Sequence, residues 1–189
     1  MFKTILAILT LIGIPFSLCS QQKTNMDKTQ ANARILVAYF SATGTTAKVA
    51  EKLADATAGE LHAIVPAQPY TASDLDWNDS NSRSSKETNN PSVRPAIGGK
   101  AFSTDRFDVV FLGYPIWWDM APRIINTFIE SHNLEGKTII QFATSGSSGI
   151  SNSIKVLKET YPHLQWKEGK LLNHASDNDI RKWVKQLGY

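Results

Sequence analysis

Residues 41–46, Ser41-Ala42-Thr43-Gly44-Thr45-Thr46, are all small and mostly hydroxylated. An apolar run over residues 34–40 leads into them, and helical spacing resumes at Val49, Ala50, Leu53 and Ala54. Strand, hydroxyl-rich turn and helix in that order put backbone N–H groups and Ser/Thr hydroxyls at a helix N-terminus. Unsatisfied donors and partial positive charge there suit a phosphate. No Lys or Arg lies in the turn, so neutral donors have to hold the anion. The missing Lys separates it from the nucleoside-triphosphate loop G-x-x-x-x-G-K-[ST], and the glycine spacing separates it from the dinucleotide turn G-x-G-x-x-G. An ordinary Ser/Thr-rich turn closed by a helix cap fits the same residues.

Two other segments carry ligand-binding chemistry. Pro115-Ile116-Trp117-Trp118-Asp119-Met120 offers adjacent large aromatics, and Thr144-Ser145-Gly146-Ser147-Ser148-Gly149 offers glycine and backbone donors. Two adjacent Trp in a loop cannot both point inward, so at least one is exposed or covers a ligand. Core packing or a partner-binding patch is the alternative for the Trp pair, and a flexible connection is the alternative for the third loop. Asp119 either sits near a ligand ring or is simply solvated.

The elements that must position these loops alternate along the chain. Strands are expected over 34–40, 60–65, 107–114 and 136–142 and within 165–172. The first helix is expected to end at Gly59, with that glycine as its left-handed cap. A second has Pro122 in its first turn and an apolar stripe at Ile124, Ile125, Phe128 and Ile129. Others cover 150–161 and a C-terminal stretch from Ser176 or Asp177, with Ile180, Trp183, Val184 and Leu187 on one face. Strict alternation implies an α/β fold, a doubly wound sheet of five parallel strands in the order 2-1-3-4-5 with helices on both faces. Ligands bind such sheets outside the carboxyl ends of the strands, where the strand order reverses. The loops after the first, third and fourth strands then share one crevice. An anion holder, a broad aromatic surface and ring-edge donors on one edge are what a flavin nucleotide needs, and aromatic stacking adds about 1 kcal/mol beyond area burial. Residues 68–104, rich in Asn, Ser, Asp and Pro, are expected to be a long ordered loop with one short helix near 72–78. Tyr70, Trp77, Arg83 and Arg94 either pack this loop or cover the ligand.

The phosphate turn and the stretches 111–130 and 136–149 resemble the flavodoxin family, and the Pro115-Ile116-Trp117-Trp118 loop is also similar to the Pro-x-x-Trp loop of quinone reductases of that fold. The resemblance implies flavin mononucleotide (FMN) as cofactor. Its phosphate would lie on Ser41, Thr43, Gly44, Thr45 and Thr46. Its ring would lie against Pro115, Ile116, Trp117 and Trp118 on one loop and Ser145, Gly146 and Ser147 on the other. The implied activity is electron transfer, with a redox partner protein or a small-molecule electron acceptor. An NAD(P)H-dependent quinone or small-molecule reductase and a non-redox flavin-binding module are the alternatives. No catalytic residue is identified. His62, His132, His163 and His174 lack ligand spacing, so no metal site is expected. Flavodoxin carriers are strongly acidic, whereas this chain has a formal charge of +3. Its positive charges are scattered and not interleaved with aromatics, which argues against nucleic-acid binding.

Residues 1–20 have the layout of a signal peptide: Lys3, an apolar run to Leu18, and Cys19 where a lipoprotein carries its lipidated cysteine. Residues 21–32 read as a flexible tether and 33–189 as the domain. The expected location is extracytoplasmic, in a bacterial periplasm or attached to a membrane through Cys19. Cys19 is the only cysteine, so the domain itself has no disulfide or catalytic thiol. Radioactive fatty acid should label the wild-type chain and not a Cys19→Ser variant. A shortened, unlabelled product would instead mean ordinary secretion, and full-length protein in the cytoplasm would refute export.

Overall fold

The computed structural model describes residues 33–189, so the signal-peptide and tether readings of residues 1–32 lie outside the described residues. Strands β1 (Ile35–Tyr39), β2 (Glu60–Ala63), β3 (Val109–Pro115), β4 (Thr138–Thr144), β5 (Gln165–Trp166) and β6 (Lys170–Leu171) form one sheet. Its order is β2-β1-β3-β4-β5, β6 also pairs with β4, and every ladder is parallel. The helices are α1 (Thr45–Thr57), α2 (Arg83–Asn89), α3 (Arg123–Ser131), α4 (Ser151–Thr160) and α5 (Asp177–Leu187).

The central strands are apolar on both sides because both faces are covered. Alternate residues feed different cores. Leu36, Ala38, Val110, Leu112 and Ile139 pack with α3, while Val37, Phe111, Ile140 and Phe142 pack with α1 and α5. Ser176 and Asp179 close a capping box at the start of α5, and Gly188 ends that helix at φ 90°.

Three expectations need correction. The fifth strand is split into β5 and β6, both alongside β4. Gly169 lies in the break, where an added Cβ would approach the Gln141 carbonyl oxygen to 2.6 Å. The left-handed cap of α1 is Ala58, at φ 50°, and not Gly59. Gly59 is needed for proximity instead, since a Cβ there would meet Thr57 Oγ1 at 2.8 Å and the Ile35 side chain at 3.0 Å. Residues 68–104 hold more helix than their composition suggests. The short helix near 72–78 is a single 3₁₀ turn, Ser73–Leu75, and α2 follows it. This helix buries Ser84, Ser85, Glu87 and Thr88, so it has no apolar stripe to betray it. Ser82 caps it by accepting the Ser85 N–H.

Gly113 on β3 lies directly beside Phe142 on β4, and the Phe142 ring fills the space a side chain would take. Gly113→Ala should therefore destabilise the fold by about 1–3 kcal/mol through overpacking, read from urea denaturation. A neutral result would mean that the Phe142 ring repacks freely.

Candidate functional site

The turn after β1 forms as its composition demands. Gly44, at φ 88°, is the N-cap of α1, a conformation that glycine adopts without strain. Its N–H donates to Ser41 Oγ at 3.1 Å, and the Thr43 and Thr45 hydroxyls lie 3.4 Å apart. The first intrahelical bond runs from Lys48 N–H to Gly44 C=O at 3.2 Å. The N–H groups of Thr45 and Thr46 precede it and have no partner within the helix. The first turn of α1 contains no acidic residue, so nothing there opposes an anion. Thr46 is buried, and its hydroxyl is 2.8 Å from that of Thr144 at the end of β4.

After β3 the chain makes a two-residue hairpin. Trp117 and Met120 exchange both backbone hydrogen bonds at 2.9 Å, and Trp118 and Asp119 between them have φ of 44° and 64°. Two positive φ values match a type I′ turn, whose usual occupants are Asn and Gly. A bulky residue there is strained. Trp117 packs edge-on against Phe40 and Tyr70, at 5.6 and 5.2 Å between ring centroids. Trp118 remains 42% exposed, so one Trp of the pair packs inward and the other faces solvent. The Asp119 carbonyl accepts from Asn152 Nδ2 at 3.1 Å, which ties the hairpin to the start of α4.

After β4, the Asn173 amide clamps Ser145. It accepts the Ser145 N–H through Oδ1 and donates to the Ser145 carbonyl through Nδ2, both at 2.7 Å. Ser147 N–H donates to Ser145 Oγ at 3.3 Å. The backbone donors of Ser145 and Ser147 are thus both engaged, the first by Asn173 from beyond β6 and the second within the loop.

These loops line one cleft of about 610 Å³, within the size range of small-molecule sites. It brings together Ser41, Thr43 and Thr46, then Pro115, Ile116, Trp117 and Trp118, then Ser145, Gly146 and Ser147. Of the residues expected at the site, Gly44 and Thr45 do not line it; both lie in the turn at the start of α1. Ala42 and Ser148 lie inside two of the expected loops and also line it. Residues 68–104 add Leu75, Trp77 and Ser84. Trp77 carried a signal as an aromatic in a polar loop. Ser84, on an unrecognised helix, carried none, and neither did Asn173 or Asn152. Among the described residues, no acidic or basic side chain lines the cleft.

Behind the hairpin, the Tyr70 hydroxyl donates to the Glu87 carboxylate, and Arg83 Nε donates to the same carboxylate at 2.7 Å. Burial, reinforced by Glu87, pushes the Tyr70 phenol far above its ordinary value, so it stays a protonated donor. Arg83 and Arg94 serve packing: the Arg83 guanidinium lies 3.9 Å from the Tyr70 ring centroid, and Arg94 pairs with Glu130.

A doubly wound parallel sheet with a hydroxyl-rich turn and an aromatic hairpin at its carboxyl edge defines a flavodoxin-like α/β protein. The sequence profile of the flavodoxin family matches residues 34–187, and the chain belongs to that family. A candidate flavoprotein from Bacteroides eggerthii is 61% identical, with a TM-score of 0.81 over 84% of this chain and 99% of that one. Another, from Bacteroides uniformis, is 53% identical, with a TM-score of 0.79 over 81% of this chain and 98% of that one. A flavoprotein from Lactobacillus acidophilus, solved in complex with FMN, shares the fold at 19% identity and a TM-score of 0.64, over 80% of this chain and 98% of that one. Among curated proteins, none matches.

The strained hairpin gives a direct test. Asp119→Gly should stabilise the protein by about 0.5–1 kcal/mol, because glycine adopts positive φ freely. Asp119→Val should cost about 1–3 kcal/mol. Paired urea melts compare them, and equal stabilities would refute the strain.

Proposed function

We propose that this protein binds FMN in the cleft and takes part in electron transfer. The observation that carries the reading is the convergence of three loops with complementary chemistry on one uncharged cleft. The free N–H groups at the start of α1, with the Thr43 and Thr45 hydroxyls, would hold the phosphate. The hairpin would support the ring through Trp118, backed by Trp117, Phe40 and Tyr70. Gly146 and Ser148 are the candidates for backbone donors to the ring edge, since Ser145 already donates to Asn173 and Ser147 to the Ser145 hydroxyl. Bound flavin would supply the redox chemistry, and the protein supplies binding, orientation and electrostatic surroundings. The flavoprotein descriptions of the two Bacteroides relatives support the same cofactor.

A small-molecule reductase is the second reading, favoured by one feature. Leu75, Trp77 and Ser84 wall the cleft on a side that the phosphate turn and the two ring loops do not supply.

Purified protein reconstituted with FMN should turn yellow, and the bound flavin should reduce and reoxidise reversibly. Failure to retain flavin would refute the cofactor, and a bound flavin that cannot be cycled would mean a non-redox binding module. Thr43 and Thr45 are exposed, so a Thr43→Glu, Thr45→Glu variant should fold normally. Its FMN affinity should fall at least about a hundredfold, or about 2.8 kcal/mol, through repulsion of the phosphate. Unchanged affinity would relocate the phosphate.

A further inference from the structure

His62 and His132 lie far apart in sequence and meet around the same two phenyl rings. His62, half-buried on the edge strand β2, stacks on Phe102 with ring centroids 3.7 Å apart and planes 17° from parallel. His132, just past the end of α3, lies 6.2 Å from the Phe102 ring and 4.3 Å from Phe128. His62 is itself 6.3 Å from Phe128. The His132 Nδ1 is 2.9 Å from the Phe128 carbonyl oxygen, which can only accept, so Nδ1 carries the proton and acid adds a second at Nε2. None of these residues lines the cleft.

The cluster holds a weakly tied piece of chain. Residues 98–107 form neither helix nor strand, and among the described residues no backbone–backbone hydrogen bond involves residues 99–103. Gly98 N–H donates to the Val65 carbonyl at one end, and Phe107 N–H donates to the Thr104 carbonyl at the other. Between them the segment depends on side chains. Phe102 stacks on His62, the Thr104 hydroxyl donates to the Asn133 carbonyl at 2.8 Å, and Arg106 pairs with Glu60. Phe102 and Thr104 thus rest on His132 and Asn133, the two residues that follow α3.

We propose that His62, Phe102 and His132 form an acid-sensitive latch, which holds residues 98–107 against β2 and the end of α3 at neutral pH and releases them as the two imidazoles become charged. The charged groups acting on His62 come from three elements. Glu60, on its own strand, favours a proton, but Arg106 of the held segment already pairs with that carboxylate at 2.6 Å. His132, at the end of α3, opposes it. Burial, with His132 beside it, holds the His62 ring below the ordinary histidine range despite Glu60. The neutral ring is therefore the form that the fold prefers. Its contribution is present in full above the unfolded-chain value of about 6.5 and is lost as pH falls through the lower value of the folded chain. With the segment's own backbone unpaired, the loss appears there first, and the strands and helices keep their own anchors.

The test uses the full chain and needs no bound ligand, so it is independent of the FMN reading. Amide hydrogen exchange of residues 98–107 is compared with that of α1 at about pH 7.5 and about pH 5, each corrected for the intrinsic effect of pH. The segment should exchange at least about fivefold faster at the acid pH, while α1 changes by less than about twofold. His62→Phe keeps an aromatic ring against Phe102 and removes the charge, so the rise in the segment should shrink to under about twofold. No rise in the wild type, an equal rise in α1, or an undiminished rise in His62→Phe would overturn the latch. NMR titration of the wild-type His62 ring protons gives a second measurement that stands even if the variant fails to fold. The midpoint should lie below about 6.5, and one at or above that value would overturn the proposal.

Discussion

Between β1 and β3 the winding of the chain reverses, and the cleft depends on that reversal. β2 lies outside β1, whereas β4 lies outside β3. The helices that follow β1 and β3 therefore leave toward opposite faces. The apolar residues of α1 join Val37 and Phe111, and those of α3 join Leu36 and Leu112. Two helices departing in opposite directions leave a gap at the carboxyl edge that no connection crosses. Parallel pairing fixes the edge in register, with Tyr39 beside Gly113 and Pro115 beside Thr144, so the three loops start from nearly one level.

The geometry at that edge is set largely by polar side-chain links between the loops and neighbouring elements. The Thr46–Thr144 hydroxyl contact ties the turn after β1 to the end of β4 across β3, and both residues are buried. Asn173 fixes the backbone of Ser145, and Asn152 fixes the Asp119 carbonyl. Each of these links joins an element to a loop that follows a different strand. They hold loops that, by themselves, would have little buried apolar area to keep them in place. The positive φ values of Trp118 and Asp119 belong in this setting. A turn that disfavours its own residues persists when its surroundings over-determine it, here through Trp117 against Phe40 and Tyr70 on one side and Asn152 on the other.

The legible parts of the chain were those governed by local periodicity. Continuous apolar runs marked β1, β3 and β4, and the Ser/Thr/Gly turn marked the start of α1, because each signal lies within about ten residues of sequence. The order 2-1-3-4-5 followed from strand–helix alternation. What escaped was structure made by distant polar partners. α2 hides Glu87 under Tyr70 and Arg83 and receives Arg123 at its end, and none of those contacts leaves a periodic trace. The Asn173 clamp spans 28 residues, and nothing about an isolated Asn announces it. The Ala58 cap was missed because glycine is the usual occupant of that conformation, while Gly59 was conserving space against Ile35.

On the FMN reading, helix-end donors would let this uncharged cleft hold an anion without a cation. Oriented backbone N–H groups at a helix end are already fixed by folding, so binding need not order a flexible lysine or arginine side chain, whose rotamer entropy costs up to about 2 kcal/mol. Partial charge from the α1 dipole supplies further attraction, strongest within its first turn. The same design leaves the ring end of the cleft without a fixed charge, since Arg83 and Glu87 satisfy one another behind the hairpin. Selectivity between phosphate and ring would then arise from the position of donors and aromatic surfaces alone. A ligand that is charged at one end and flat and neutral at the other would have only one orientation that satisfies both ends of the cleft.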